Sequence, residues 1–140
     1  MNILFFLTPK SEVAYTTETD TMTQLMALMD ERKFTAIPVL NPDGIYVGTV
    51  TEGDLLRQVY SWDEWKPRDA EKVKVAHISR RREIKAVRAN SDMEDLIQTA
   101  MQQNFVPVTD DDGVFIGIIT RKSIIGYCYE HSSLKDGDSE

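Results

Sequence analysis

A basic pair at the start of a predicted helix is the clearest candidate for chemistry in this sequence. Arg121 and Lys122 follow Thr120, whose hydroxyl is placed to cap a helix from Arg121 to Tyr129. The free amides and positive dipole end of a helix start favour a phosphate. Arginine adds a fork of two hydrogen bonds and lysine a point charge. Because two cations at a helix start oppose the dipole, the pair indicates a bound anion; an exposed basic pair without a ligand is the alternative.

The same local pattern occurs twice, without a gap. Residues 36–51 and 105–120 match in step, each pair 69 positions apart, and the matches include Pro38 with Pro107, Gly44 with Gly113, Gly48 with Gly117, and Thr51 with Thr120. Four such matches in one short stretch are not expected by chance, so the chain contains an internal repeat.

Each repeat carries the elements that would position these residues. An apolar run ending in Pro-Val predicts a buried strand, Asp-Gly a hairpin turn, and the following run a second strand. A helix comes after this hairpin, and a short extended segment and another helix come before it. The predicted bounds outside the Pro-Val strand are Val13–Thr16, Met22–Lys33, Ile45–Val50 and Glu52–Tyr60 in one repeat, and Ile84–Val87, Asp92–Asn104, Val114–Ile119 and Arg121–Tyr129 in the other.

The order β-α-β-β-α, found twice, predicts an α/β fold of the α+β type. We expect residues 1–60 to form the first repeat, 61–74 a linker, 75–129 the second repeat and 130–140 a flexible tail. Two halves of about 60 residues would each be marginal alone, so the repeats are expected to depend on one another.

Composition excludes several classes of protein. A net charge of -7 does not suit general binding of nucleic acid, which needs a basic surface. Cys128 is the single cysteine, so no intramolecular disulfide can form, and a cytoplasmic location fits. The apolar run Ile3–Leu7 is too short for a membrane span or signal peptide and predicts a short packing helix.

The repeat resembles the CBS domain, named after cystathionine β-synthase. The resemblance lies in the apolar-Pro-Val strand, the Asp-Gly turn and the motif Gly-x-x-Thr-x-x-Asp, and it covers residues 2 to about 129. Residues 48–54 match that motif in full, whereas residues 117–123 have Ser123 in place of the aspartate. The resemblance implies two sheets in pseudo-twofold symmetry, with two clefts that bind adenosine-based ligands such as AMP, ATP or S-adenosylmethionine. One repeat would supply the adenine pocket of each cleft, and the other its ribose and phosphate contacts.

The sequence is also similar to a narrower group, the small stand-alone CBS proteins of Gram-positive bacteria that bind cyclic di-AMP. The matching segments are residues 13–15, 34–39 and 117–122. In that group these positions hold one adenine, and a basic pair holds the phosphates. Glu12 is a departure, since the group tends to carry a basic residue there.

The resemblance implies two candidate clefts, of which we expect the first to be occupied. In the first cleft, small residues let a flat base approach the backbone, apolar ones contact its faces, and the basic pair holds phosphate. Its residues are Ala14, Tyr15, Thr35, Ala36 and Ile37 with Thr120, Arg121, Lys122 and Ser123. Replacing both Arg121 and Lys122 by alanine is expected to weaken binding and leave folding intact.

The second cleft is predicted to be less open. Its residues are Lys85, Ala86, Phe105 and Val106 with Thr51 and Asp54. Phe105 stands where the first repeat has Ala36, and its ring would fill the volume that a base needs. By the resemblance Asp54 would bind ribose hydroxyls; alternatively, it serves only the start of its helix.

The sequence therefore predicts a regulatory nucleotide-binding protein with no catalytic residues, metal or cofactor. Its ligand would be cyclic di-AMP, with AMP, ADP or ATP as alternatives; a module with degenerate clefts that only contacts other proteins is the remaining possibility. The resemblance, together with apolar helix faces that need cover, predicts a homodimer that acts on a separate protein target, away from membranes. Arg80, Arg81 and Arg82 would either be a solvated loop or reach a phosphate or an acidic partner.

Overall fold

The computed structural model of the chain describes residues 2–64 and 66–132. Most of the predicted tail, residues 133–140, lies outside the described residues. Within them, no helix has the length and apolar content needed to cross a membrane.

Residues 3–60 form two short 3₁₀ helices, four strands and two α-helices. In chain order these are a 3₁₀ helix Ile3–Phe6, β1 (Thr8–Pro9), a 3₁₀ helix Lys10–Glu12, β2 (Thr16–Thr17), α1 (Met22–Arg32), β3 (Ala36–Leu40), β4 (Tyr46–Thr51) and α2 (Glu52–Tyr60).

Residues 67–130 repeat the same order of elements after a short helix in the linker. They are α3 (Pro67–Ala70), a 3₁₀ helix Val75–His77, β5 (Val87–Arg88), α4 (Met93–Ala100), β6 (Phe105–Thr109), β7 (Phe115–Thr120) and α5 (Arg121–Glu130). The predicted order β-α-β-β-α is therefore present twice. The helix predicted over residues 92–104 ends earlier, at Ala100, and a turn leads from it to β6.

The strands form two sheets with matching registers. One sheet has the order β2-β3-β4 and the other the order β1-β7-β6-β5. In the first sheet β2 is parallel to β3, and β3 and β4 form an antiparallel hairpin. In the second sheet β5 is parallel to β6, and β6 and β7 form the equivalent antiparallel hairpin. Ala36 lies opposite Thr51 in the first hairpin, and Phe105 lies opposite Thr120 in the second. Positions predicted to be equivalent from sequence thus occupy equivalent places on their strands.

The two hairpin turns are built alike. Gly44 and Gly113 have φ angles of 83° and 86°, a region that favours glycine, as the Asp-Gly pattern predicts. Asn41 and Asp110 each accept, at one side-chain oxygen, the backbone N–H groups two and four residues further on, at 2.9 to 3.0 Å. These side chains fix the turns from within.

The turns also meet each other and join the two sheets. The N–H of Tyr46 donates to the carbonyl of Gly113 at 3.1 Å, and the N–H of Phe115 donates to the carbonyl of Gly44 at 3.0 Å. Each bond is the counterpart of the other under exchange of the repeats, so the pseudo-twofold axis passes between the hairpins.

The segment that leads into each repeat packs on the other one. Strand β1 pairs with β7, and Ile3 and Phe6 lie in the core of the second repeat. In the same way Val75 and Ile78, from the segment after the linker helix, lie in the core of the first repeat. Residues 3–9, predicted as part of the first repeat, therefore complete the sheet and core of the second.

Candidate functional site

A cleft of about 490 Å³ lies between the two repeats. Thr51, Glu52 and Gly53 line it from the start of α2, and Ile84 and Phe105 line it from the second repeat. This is the crossed composition predicted for the second cleft. Thr35 and Ala36, predicted for the first cleft, line the same space, so the region next to the starts of β3 and β6 is shared.

A neighbouring cavity of about 530 Å³ contains two more of the residues predicted for the second cleft. Lys85 and Ala86 line it, opposite residues 46–48. In the lining of this cavity, the hydroxyl of Tyr46 donates to the carbonyl of Ile84 at 2.7 Å and lies 2.7 Å from Thr49 Oγ1. Burial of this hydroxyl raises the pKa of Tyr46 to about 12, since the charged phenolate would lose its hydration.

Asp54 serves the start of α2, which is the alternative role considered for it from sequence. Its carboxylate is 2% exposed and accepts the N–H of Thr51 at 2.9 Å, while Thr51 Oγ1 accepts the N–H of Asp54. The same carboxylate is paired with the guanidinium of Arg57 and accepts the N–H of Arg81 at 3.2 Å. Asp54 therefore joins the first repeat to the segment leading into the second.

Gln103 was missed by the sequence reasoning, yet its side chain is one of the few buried polar ones. Its carboxamide oxygen accepts the N–H of Lys85 at 3.0 Å, and its nitrogen donates to the carbonyl of Lys85 at 2.7 Å. The nitrogen also donates to the carbonyl of Phe105 at 3.0 Å. The backbone of Lys85, predicted to be an adenine-reading position, is thus already paired on both sides.

The equivalent position in the first repeat is different. Ala14 is 8% exposed, and among residues 2–64 and 66–132 neither its N–H nor its carbonyl has a hydrogen-bond partner. Tyr15 beside it is partly exposed, with its ring 6.3 Å from that of Phe115 and the ammonium of Lys10 5.1 Å from its centroid. A buried backbone group left unpaired is unfavourable, so Ala14 has both hydrogen-bonding positions available for a ligand.

Two residues predicted for the cleft walls lie instead in the cores. Ile37 and Val106, at equivalent positions of β3 and β6, are both fully buried. They pack in the core of the first and second repeat respectively. Neither side chain has an exposed face for a base, because it points into the core behind its sheet.

Arg121 is held by the protein itself. Its guanidinium and Nε donate to the carbonyls of Ala100 at 2.6 Å and Met101 at 2.9 Å, and to Asn104 Oδ1 at 3.2 Å. These carbonyls are at the end of α4, where a cation is favoured by the helix dipole. Lys122 is exposed and has no partner among the described residues. Thr120 caps α5 as predicted, accepting the N–H of Ser123 at 3.2 Å.

Three arginines line the shared cleft. Arg57, Arg81 and Arg82 lie around it, although the chain as a whole has a net charge of -7. Arg82 donates to the carbonyl of Gln102 at 3.1 Å, and the guanidinium of Arg81 has no partner among the described residues. The arrangement places free positive charge in a space bounded by both repeats.

These features define a class of protein in which two β-α-β-β-α repeats are related by pseudo-twofold symmetry and a cleft lined by arginines lies between them. The chain belongs to the CBS domain family, whose model matches residues 7–61 and 75–130. This confirms both the predicted fold and the resemblance. No curated protein matches the chain.

Solved structures of the same fold include complexes with adenine nucleotides. CbpB in complex with c-di-AMP is 22% identical, with a TM-score of 0.84 over 93% of this chain and 85% of that one. CbpB from Streptococcus agalactiae is 23% identical, with a TM-score of 0.81 over 99% and 85%. CBSX2 in complex with AMP is 22% identical, with a TM-score of 0.72 over 92% and 96%.

Proposed function

We propose that this chain is a regulatory protein that senses an adenine nucleotide bound between its two CBS repeats. The observation that carries the proposal is the state of Ala14, a buried residue whose N–H and carbonyl are both unpaired among the described residues. Adenine presents a donor and an acceptor side by side, which such a pair of backbone groups can bind. The base therefore lies in the first cleft, against Ala14, Tyr15 and Ala36.

Two sets of cations are candidates to bind the phosphates of the nucleotide. Lys122 is exposed at the start of α5 and without a partner among the described residues. Arg81 and Arg82 line the same cleft as Ala36. Arg121 already makes three hydrogen bonds, whereas Arg82 makes one and the guanidinium of Arg81 has no partner among the described residues, so we assign the phosphates to Lys122 and this arginine pair.

Cyclic di-AMP is the ligand that we put first. Solved structures of similar fold include a CbpB protein bound to it, and residues 13–15, 34–39 and 117–122 of this chain resemble the group of CBS proteins that bind cyclic di-AMP. AMP, bound by the similar CBSX2, is the alternative, together with ADP and ATP. Glu12 adds a negative charge near the first cleft, which disfavours the more highly charged ligands.

Isothermal titration calorimetry with AMP, ADP, ATP and cyclic di-AMP tests the proposal. We expect at least one of the four to bind, and Ala36→Phe to abolish that binding by copying the bulk of Phe105. Gln98→Ala, on an exposed face of α4, is the control and leaves affinity unchanged. A folded protein that binds none of the four nucleotides is instead an interaction module with degenerate clefts.

The remaining parts of the proposal concern how such a sensor acts. It is a cytoplasmic homodimer without catalytic activity of its own, and nucleotide binding changes its contact with a separate protein target. Exposed apolar side chains on α2 and α5, among them Leu56 and Ile125, support a second copy as the partner of this face. The two positions are equivalent in the two repeats, which suits a symmetric assembly.

A further inference from the structure

We propose that Gln103 occupies the base position of the second cleft with its own side chain, so that the chain binds a base in the first cleft only. The inference rests on the proposed function, because it assigns the place of the proposed adenine. It starts from the two hydrogen bonds between the Gln103 carboxamide and the backbone of Lys85, at 3.0 and 2.7 Å.

A carboxamide and an adenine edge offer the same hydrogen-bonding pattern. Each presents one N–H donor beside one acceptor, in one plane and at similar spacing. Gln103 uses that pattern on both backbone groups of Lys85, the residue equivalent to Ala14. Gln103 is 5% exposed, so its hydrogen-bonded amide is buried and a base would have to displace it.

The first repeat serves as an internal comparison. Thr16 and Val87 are equivalent on β2 and β5, which places Ala14 opposite Lys85 in the alignment of the repeats. Ala36 and Phe105 are equivalent on β3 and β6, which pairs Phe34 with Gln103. Phe34 has no amide, and it is exposed. A glutamine needed only for the fold would be expected in both repeats. Instead, a glutamine side chain binds the backbone of Lys85 in the second repeat, and the backbone of Ala14 in the first repeat has no such partner among the described residues.

Phe105 reinforces the closure. Its ring stands at the strand position that Ala36 holds in the first repeat, and its carbonyl accepts a third hydrogen bond from Gln103 at 3.0 Å. The second cleft therefore has no free backbone groups at Lys85 for a base, and the ring of Phe105 takes up room that Ala36 leaves open in the first repeat. Its arginines remain available to phosphates that extend from the first cleft.

Calorimetric stoichiometry with AMP, which carries one base, tests the inference, with cyclic di-AMP as a second probe. We expect the wild type to bind one AMP per chain. Phe34→Gln installs the same amide beside Ala14 at an exposed position and should lower AMP affinity at least about 10-fold, the effect of losing a buried hydrogen-bonded contact. The double change Gln103→Ala, Phe105→Ala should open the second cleft and raise the stoichiometry to two.

Gln102→Ala is the matched control, since Gln102 is an exposed neighbour of the same type, and it should leave both affinity and stoichiometry unchanged. Two AMP bound per wild-type chain, or unchanged AMP affinity in Phe34→Gln, would overturn the inference while leaving the proposed function intact. If the wild type binds neither probe, the proposed function fails. The opened variant then decides the inference alone: one AMP per chain supports it, and none overturns it.

Discussion

Asp54 and Ser123 occupy the same position in the two repeats, three residues after the threonine that caps the following helix. Both backbone N–H groups are held by that threonine at 3.2 Å. Beyond this the two side chains differ. Asp54 binds Arg57 and the backbone of Arg81, whereas the one partner of Ser123 Oγ among the described residues is the carbonyl of Thr120. At this position, therefore, the side chain of the first repeat joins the two repeats, whereas the equivalent side chain of the second repeat binds within its own helix start.

Asp54→Ala is expected to lower the free energy of unfolding by about 2–4 kcal/mol, because it removes part of a helix cap and a buried carboxylate that binds the Arg57 guanidinium and the backbone N–H of Arg81. Ser123→Ala, at the equivalent position, should cost less than about 1 kcal/mol. Urea unfolding of both variants measures the difference. Equal losses would show that the contacts to Arg57 and Arg81 add nothing to stability.

Arg121→Ala and Lys122→Ala should separate folding from binding. The first removes two hydrogen bonds to the end of α4 and one to Asn104, and should destabilise the protein by about 1–3 kcal/mol. The expectation from sequence that the double variant leaves folding intact is therefore revised. The second should change stability by less than about 0.5 kcal/mol and weaken nucleotide binding about 10-fold. Thermal unfolding and calorimetry on each single variant test this; unchanged affinity in Lys122→Ala would exclude it from the phosphate site.

Gly113→Ala and Gly126→Ala should have opposite effects. Gly113 has a φ of 86°, and a Cβ there would meet Ile45 at an ordinary 3.6 Å, so the expected loss of about 1–2 kcal/mol is backbone strain. Gly126 lies in α5 with nothing within 4 Å of an added Cβ, so alanine should stabilise by about 0.5–1 kcal/mol. Denaturant titration of both decides; stabilisation by Gly113→Ala would contradict the turn geometry.

Tyr46 should make stability depend on pH in the alkaline range. Its pKa is raised from 10.0 to about 12, so the folded state keeps a proton that the unfolded state has lost. The contribution of Tyr46 is therefore complete below pH 10 and falls by about 1.4 kcal/mol per pH unit as the pH rises from 10 towards 12. Unfolding free energies of the wild type and Tyr46→Phe, compared across this range, isolate the effect, since all other groups are shared. A constant difference between the two proteins would refute it.

Leu56→Glu and Ile125→Glu test the proposed homodimer. Both side chains are well exposed in the isolated chain, at 70% and 65%, so glutamate should leave the fold stable. Light scattering is expected to give twice the chain mass of 16.0 kDa for the wild type and the chain mass for the variants. Gln98→Glu, a charge change elsewhere on the helices, should remain dimeric. A wild-type monomer at micromolar concentration would remove the second copy from the proposal.

Much of the fold was predictable because it follows from the period of the apolar residues and from residues that mark turns and helix starts. Helix α2 begins and ends at Glu52 and Tyr60 as predicted, since a capping threonine marks its start. The turns at Gly44 and Gly113 follow from Asp-Gly. Strand β1 was not predicted, because two residues carry no period, and its partner β7 is more than a hundred positions away.

The site was only partly predictable for a different reason. The crossed cleft with Thr51 and Phe105 follows from the family pattern. The bonds of Gln103 and Arg121 do not, because each depends on how the chain turns at the point where α4 ends. Helical spacing from Met93 to Ala100 does not fix that point, and a polar residue in a turn gives no sign of its partner.

The exchange of leading segments between the repeats also governs the order in which the chain can fold. The first core lacks Val75 and Ile78 until the linker has been synthesised, and the second sheet needs β1, the earliest strand, to pair with one of the last. The first half therefore cannot complete its core before the segment after the linker has been made, and the second cannot complete its sheet without the segment that was made first. Contacts of such long sequence separation are slow to form, since loop-closure entropy is lost before they are gained. The newly made chain therefore leaves β1 without its partner strand until the second hairpin has been made.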